Sequence, residues 1–277
     1  MSGQTDVTRV MLWCPPRSLS TAFERCISGG TKHKVKVYHE LFTTSYHIGP
    51  EKQISYPIPL PFGGVLEETY SYQWVKDCLE GPSDADFVFA KDLAYAVEGR
   101  YEYLPEDFIH TFLIRHPAKV FLSYETLMAK FPASLIGMSF TDILPKGYVF
   151  KELYELFHYI QTTLGQKAIV IDADDLLQKP VQTLEKYCSE IGMKYSDGML
   201  NWGKFQPDDW TFSENMMWIN RIIGQYDKAF STKKLLGSTD KPIDVSSVSE
   251  TVMQAVKYCI PYYEKMYTHS LKPYMKS

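Results

Sequence analysis

Short apolar runs rich in β-branched and aromatic residues alternate along this chain with longer stretches of helical period, and that alternation limits the fold most narrowly. The runs Arg9 to Trp13, Val35 to Tyr38, Phe87 to Ala90, Thr111 to Ile114 and Ala168 to Ile171 read as strands. Several are almost continuously apolar, the pattern of strands covered on both faces. Helices are expected at Ser20 to Ser28, Glu67 to Leu79, Ala118 to Lys130, Tyr148 to Leu164, Pro180 to Ile191 and Glu250 to Tyr263. In the fourth, Leu153, Leu156, Phe157, Ile160 and Leu164 fall on one face. The expectation is an α/β fold: a single three-layer domain over residues 1–277, with a central, mostly parallel sheet flanked by helices. At 277 residues and 45% hydrophobic content the chain can bury one ordinary core. No repeat, low-complexity tract or composition shift marks a boundary within it. Thr43 to Gly64, Phe131 to Gly147 and Lys194 to Pro207 read as long functional loops, the first because its prolines and glycines are mixed with Tyr46, Ile48, Tyr56 and Phe62.

Charge narrows the partners. Lys and Arg total 29 against 33 Asp and Glu, a formal charge of -4, so indiscriminate binding to nucleic acid or to an anionic membrane is not expected. A polyanionic ligand has to be caught locally. The five cysteines, Cys14, Cys26, Cys78, Cys188 and Cys259, are odd in number and widely spaced with no CxxC, which favours a reducing compartment over a disulfide or zinc framework. With no apolar run of about 18 residues, a soluble, cytoplasmic protein is expected. No oligomeric state is legible.

Two segments carry anion chemistry. The first strand runs into Cys14-Pro15-Pro16-Arg17-Ser18-Leu19-Ser20-Thr21, and Ala22 to Ile27 continue with a helix-forming pattern. A turn that opens a helix presents unpaired backbone N–H groups and the positive end of the helix dipole. Arg17 adds a formal charge, and the hydroxyls of Ser18, Ser20 and Thr21 can donate. The turn has no glycine and no G-x-x-x-x-G-K-[ST] pattern, which argues against ATP or GTP hydrolysis. The competing reading is a Ser/Thr-capped helix with an exposed arginine. The strand Thr111 to Ile114 leads into Arg115-His116-Pro117, with Ser123 on the helix that follows; Arg115 stands at the strand end, where ligands of open α/β sheets bind.

Together these segments resemble the P-loop sulfotransferase superfamily, whose 5′-phosphosulfate loop follows the first strand. Its 3′-phosphate motif is an Arg, a Pro two positions on and a Ser eight positions on, the spacing of Arg115, Pro117 and Ser123. Ile169 to Pro180, with Asp172, Asp174 and Asp175, is similar to that family's strand, acidic turn and Pro-started helix, and its acids read as caps. The resemblance covers about Arg9 to Tyr195, with residues 196–277 as an acceptor-side and closing segment. The glycine-free loop looks most like the branch sometimes mislabelled as branched-chain aminotransferases.

The resemblance implies 3′-phosphoadenosine-5′-phosphosulfate (PAPS) as donor, 3′,5′-adenosine bisphosphate (PAP) as product, a small-molecule acceptor with a hydroxyl or amine, and no metal. Arg17, Ser18, Leu19, Ser20, Thr21 and Ala22, with Arg115 and Ser123, are then the donor-binding positions, and Arg17 neutralises charge on the leaving phosphate. Glu40, at the end of the second strand, matches the carboxylate base of carbohydrate-type members; His39, with the more suitable intrinsic pKa, competes for that role. Lys91 falls where cytosolic members carry Lys-x-His, but Leu93 stands in place of the His, which puts the phenol and steroid mechanism in doubt. The family's Arg-Lys-Gly closing segment is not visible; Asn201 to Trp210 stands there, with Arg221, Lys233 and Lys234 beyond. Trp202, Phe205, Trp210 and Trp218 are candidate walls of an acceptor pocket or members of the core. Two other functions stay open: a diverted enzyme of the same scaffold that promotes departure of a phosphate or pyrophosphate ester, and a non-catalytic nucleotide-binding module.

Overall fold

A computed structural model describes residues 7–54, 65–129, 144–203, 210–235 and 248–272. Six parallel strands form one sheet in the order β5-β4-β1-β3-β2-β6. They are β1 (Thr8–Cys14), β2 (Val35–His39), β3 (Phe87–Leu93), β4 (Ile109–Ile114), β5 (Ile169–Asp172) and β6 (Trp210–Thr211). The first five lie where the apolar runs predict them. The α/β expectation holds, with every pairing parallel.

The helices are α1 (Ser20–Gly29), α2 (Leu41–Ile48), α3 (Tyr72–Glu80), α4 (Pro117–Met128), α5 (Phe150–Thr162), α6 (Ala173–Gln178), α7 (Pro180–Glu190), α8 (Glu214–Ile222), α9 (Asp227–Ser231) and α10 (Glu250–Tyr267). Aromatic contacts mark the two covered faces. On one, Phe23 of α1 meets Tyr187 of α7 edge-on at 5.0 Å between centroids, with Phe89 of β3 beside it. On the other, Trp13 of β1 stacks with Phe42 of α2, which stacks with Tyr72 of α3, and Phe112 of β4 meets Phe157 of α5. Trp13 also donates its indole N–H to His110 Nδ1 at 3.0 Å, satisfying a polar atom inside this layer.

Three expectations need correction. Thr43 to Ile48 is helical, not loop: the buried Asp92 carboxylate accepts the Phe42 and Thr43 amides at 2.6 and 3.0 Å and so caps α2 from another strand. Sequence periodicity cannot register a cap supplied from 50 residues away. The helix expected from Glu67 starts instead at Tyr72, because Ser71 accepts the Trp74 amide and acts as its N-cap. The stretch from Lys194 contains a short 3-10 turn, Asp197–Leu200, packed on α1. The rest of the expected loops, 55–64, 131–143 and 204–207, lies outside the described residues. Asp172 accepts the Asp174 and Asp175 amides at 2.9 and 3.1 Å, the capping role that its motif suggested. Among the described residues no helix is long and apolar enough to cross a membrane.

Candidate functional site

β1 lies between β3 and β4, so the turn that leaves it runs into the gap where the strand order reverses, at the carboxyl edge of the sheet. A cleft of about 360 Å³ opens there, walled by that turn, by Glu40, Lys91, Arg115 and Ser123, and by the segment from Gln225 to Leu235. Among the described residues no group of three His, Cys, Asp or Glu is arranged to hold a metal ion.

The turn is built without glycine and is correspondingly strained. Arg17 and Leu19 have φ of 62° and 70°, the left-handed region that side chains disfavour, at a cost of about 1–3 kcal/mol each. Leu19 is the N-cap of α1 and offers no side-chain cap, so the first amides of α1 face the cleft. Ser18 is fully buried and gives its hydroxyl to the Pro15 carbonyl at 2.7 Å. That hydroxyl braces the turn, and Ser18 does not line the cleft. Leu19, Ser20, Thr21 and Ala22 do line the cleft.

The two anion motifs meet directly. Arg17 Nε donates to Ser123 Oγ at 3.0 Å, and Arg115 Nη1 donates to the Arg17 carbonyl at 2.8 Å. Arg115 lines the cleft, and its Nε is buried without a hydrogen-bond partner. Burial holds the pKa of both guanidiniums below the usual arginine value, the desolvation expected of cations gathered in a recess. Arg17 Nη1 also donates to the Gln225 carbonyl at 2.7 Å, and Lys228 and Lys234 of the same segment line the cleft.

This segment is held by a residue that sequence reasoning passed over. Arg25 of α1 gives Nη1 to the carbonyls of Ala229 and Thr232 at 2.6 and 2.8 Å, and Nη2 to Gly203 at 3.0 Å. Trp202 lies under its guanidinium at 5.2 Å and lines the cleft. The other candidate aromatics part from it. Trp210 is strand β6, Trp218 is 52% exposed and Phe205 falls outside the described residues.

At the inner end stands a buried ionic cluster. Lys91 and Asp92 lie within β3 rather than after it, and Lys91 Nζ pairs with Glu40 Oε1 while Tyr226 donates its hydroxyl to Glu40 Oε2. Glu40 has a φ of 55° and lines the cleft; His39 is 3% exposed behind it and is absent from the cleft wall. Burial alone raises the pKa of Glu40, but Lys91, His39 and the Tyr226 hydroxyl outweigh it and hold it at about 2. Burial likewise opposes the Lys91 ammonium and Glu40 overcomes it, leaving that pKa raised. Cys14, at the mouth of the turn, is buried and its thiol is pushed up to about 12, so it packs rather than reacts.

These shifts set a pH dependence of stability. Glu40, depressed from 4.5 to about 2, contributes about 3 kcal/mol above its unfolded pKa, and this is lost as pH falls toward 2. Asp92 and Asp172 are both pushed up to about 6 by burial, so their contribution is fully present below 3.8 and is lost as pH rises through 6. Thermal melts between pH 2.5 and 8 are expected to peak at about pH 3.5–4. A melting temperature that climbs steadily to pH 7 would contradict the assignment.

The fold and the cleft thus define an α/β protein with a cleft lined by Arg17, Lys91, Arg115, Lys228 and Lys234 at the carboxyl edge of its sheet. No model of a known protein family matches the chain. It is 30% identical over 119 residues to Sulfotransferase ppzF of Metarhizium majus (strain ARSEF 297), a match covering 38% of this chain and 35% of that protein. It is 24% identical over 197 residues to Branched-chain-amino-acid aminotransferase-like protein 2 of Arabidopsis thaliana, covering 69% of this chain and 31% of that one. The chain therefore spans about a third of the length of these curated relatives. Among solved structures it is similar to mouse sulfotransferase SULT7A1 complexed with PAP, at 12% identity and a TM-score of 0.49, covering 94% of this chain and 84% of that one. The sulfotransferase domain from the curacin biosynthetic pathway gives 16% identity and a TM-score of 0.40, covering 91% and 97%. Over about a third of its length the chain is thus similar to a protein named as a sulfotransferase.

Proposed function

We propose that this protein transfers a sulfuryl group from PAPS to a hydroxyl or amine of a small acceptor. The observation that carries the reading is the joining of Arg17, Ser123 and Arg115 by hydrogen bonds across an uncapped helix N-terminus in one cleft. Arg115 and Ser123 would hold the 3′-phosphate, and Arg17 with the amides from Leu19 to Ala22 the 5′ side. The Arg115 guanidinium and the lysines of the closing segment, which line the cleft, fit such a polyanion. Sulfuryl transfer resembles phosphoryl transfer in placing charge on a leaving phosphate oxygen, so fixed cations and amides supply most of the catalysis. Arginine stays charged throughout, so Arg17 stabilises that oxygen without protonating it.

Glu40 is the base in this reading, with His39 behind it rather than facing the acceptor. Paired with Lys91, Glu40 is a weak base; it gains basicity as the Lys91 ammonium is drawn toward donor oxygens. The single sheet and contiguous core support one domain, and the cysteine pattern supports cytoplasmic residence.

The strength of the Glu40–Lys91 pair also favours a second reading, in which the cradle activates departure of a phosphate or pyrophosphate ester, chemistry that needs no free base. Incubation with PAPS and a panel of phenols, alcohols and amines, followed by mass spectrometry, separates the two. Release of PAP together with a sulfated acceptor is the expected result. Bound donor that persists unchanged across the panel would point to a binding module, and cleavage of a pyrophosphate ester alone would point to the second reading.

A further inference from the structure

Behind Glu40 lies a second pair of ionisable groups that the donor site does not use. Glu24 of α1 is fully buried, and its Oε2 is 2.7 Å from His39 Nδ1. The other ring nitrogen, His39 Nε2, is buried without a hydrogen-bond partner and lies 3.9 Å from Glu40 Oε1; Glu24 Oε1 is also unpartnered. The Trp210 and Tyr226 rings, with centroids 5.4 and 5.0 Å from the imidazole, close this space. Burying a carboxylate costs several kcal/mol even after relaxation, and packing alone would be met by apolar side chains. The ordering Glu24, His39, Glu40 has the logic of a carboxylate that fixes a histidine tautomer, so that the free nitrogen faces the group it serves.

We infer that Glu24 and His39 are positioning residues forming an internal proton acceptor for Glu40. The inference rests on the sulfuryl-transfer reading. As the acceptor oxygen bonds to sulfur, the bond from sulfur to the leaving phosphate oxygen breaks and its electron pair stays on PAP. The acceptor O–H proton passes to Glu40. Glu40 then gives it to His39 Nε2, forming an imidazolium stabilised by the Glu24 carboxylate at Nδ1. Glu40 is left anionic while the imidazolium holds the proton, which returns through Glu40 to water in the cleft once the product has left. Among the described residues, the charged or titratable groups facing His39 are Glu24 from α1, Glu40 beside it, Lys91 opposite it on β3, and Tyr226 from the closing segment, with Trp210 of β6 packed on the ring.

The test uses the full chain with ring-¹⁵N histidine, the His39 signals being assigned by their loss in His39→Gln. The proton of the neutral ring is expected on Nδ1, against Glu24, with Nε2 bare. In Glu24→Leu that tautomer preference is expected to be lost, because the carboxylate that accepts from Nδ1 is removed. A neutral ring with its proton on Nε2 overturns the inference, as does an unchanged tautomer in Glu24→Leu. If that variant does not fold, the wild-type tautomer alone decides. Calorimetric titration of the same samples with PAP keeps the two claims apart. Loss of PAP binding with the expected tautomer removes the sulfuryl-transfer reading, whereas PAP binding with the wrong tautomer removes only the proton-accepting pair.

Discussion

Arg115→Ala is expected to weaken binding of PAP by roughly 100-fold while changing that of adenosine 5′-phosphosulfate, which has no 3′-phosphate, by no more than a few-fold. The magnitude is that of one or two charge-assisted hydrogen bonds lost from a half-buried site. The Arg115 guanidinium lines the same recess as Ser123. Its Nη1 also steadies the Arg17 carbonyl, in a turn whose φ at Arg17 is 62°, and this accounts for the small effect on the 5′ side. Calorimetry with both nucleotides decides: equal weakening of the two would contradict the assignment of Arg115 to the 3′-phosphate.

Breaking the Glu40–Lys91 pair has the other large effect. Lys91→Met leaves a buried carboxylate facing Tyr226 and His39, and Glu40→Gln leaves a buried ammonium; each is expected to cost about 3–5 kcal/mol in urea unfolding. The double variant is expected to lose much less than the sum, because both desolvated charges are then gone. Additive losses would show that the pair is not coupled. Glu40→Gln is further expected to lower turnover by about 10²- to 10⁴-fold, the range for removal of a general base, with donor affinity nearly unchanged. A Gln variant with full turnover would move the base away from Glu40.

The parts of this molecule legible in its sequence are those encoded locally. Strands β1 to β5 announce themselves because both of their faces are covered and almost every residue in them is apolar. The anion turn and the Arg115, Pro117, Ser123 spacing were legible because each is set by a strand end followed by a helix start. What was not legible depends on distant partners. Helix α2 is nucleated by Asp92, a residue on β3. Tyr226, Gln225, Lys228 and Lys234 reach the cleft because Arg25 pins their segment from α1, and no motif joins positions 200 residues apart. Glu24 alone left a readable trace: it shares the helix face of Ser20 and Ile27, where a carboxylate can be buried only with a partner. Ser18, read as a ligand hydroxyl, is turned inward because the strained turn needs its own brace.

The central claim is that Arg17, Arg115 and Ser123 together form a site for a nucleotide with phosphates at both the 5′ and 3′ positions. Calorimetric titration of the full chain with PAP tests it most directly. Saturable one-to-one binding with a dissociation constant in about the micromolar range is predicted, with a matching rise in melting temperature. Heat no greater than dilution up to about millimolar ligand, with no shift in melting, would contradict it.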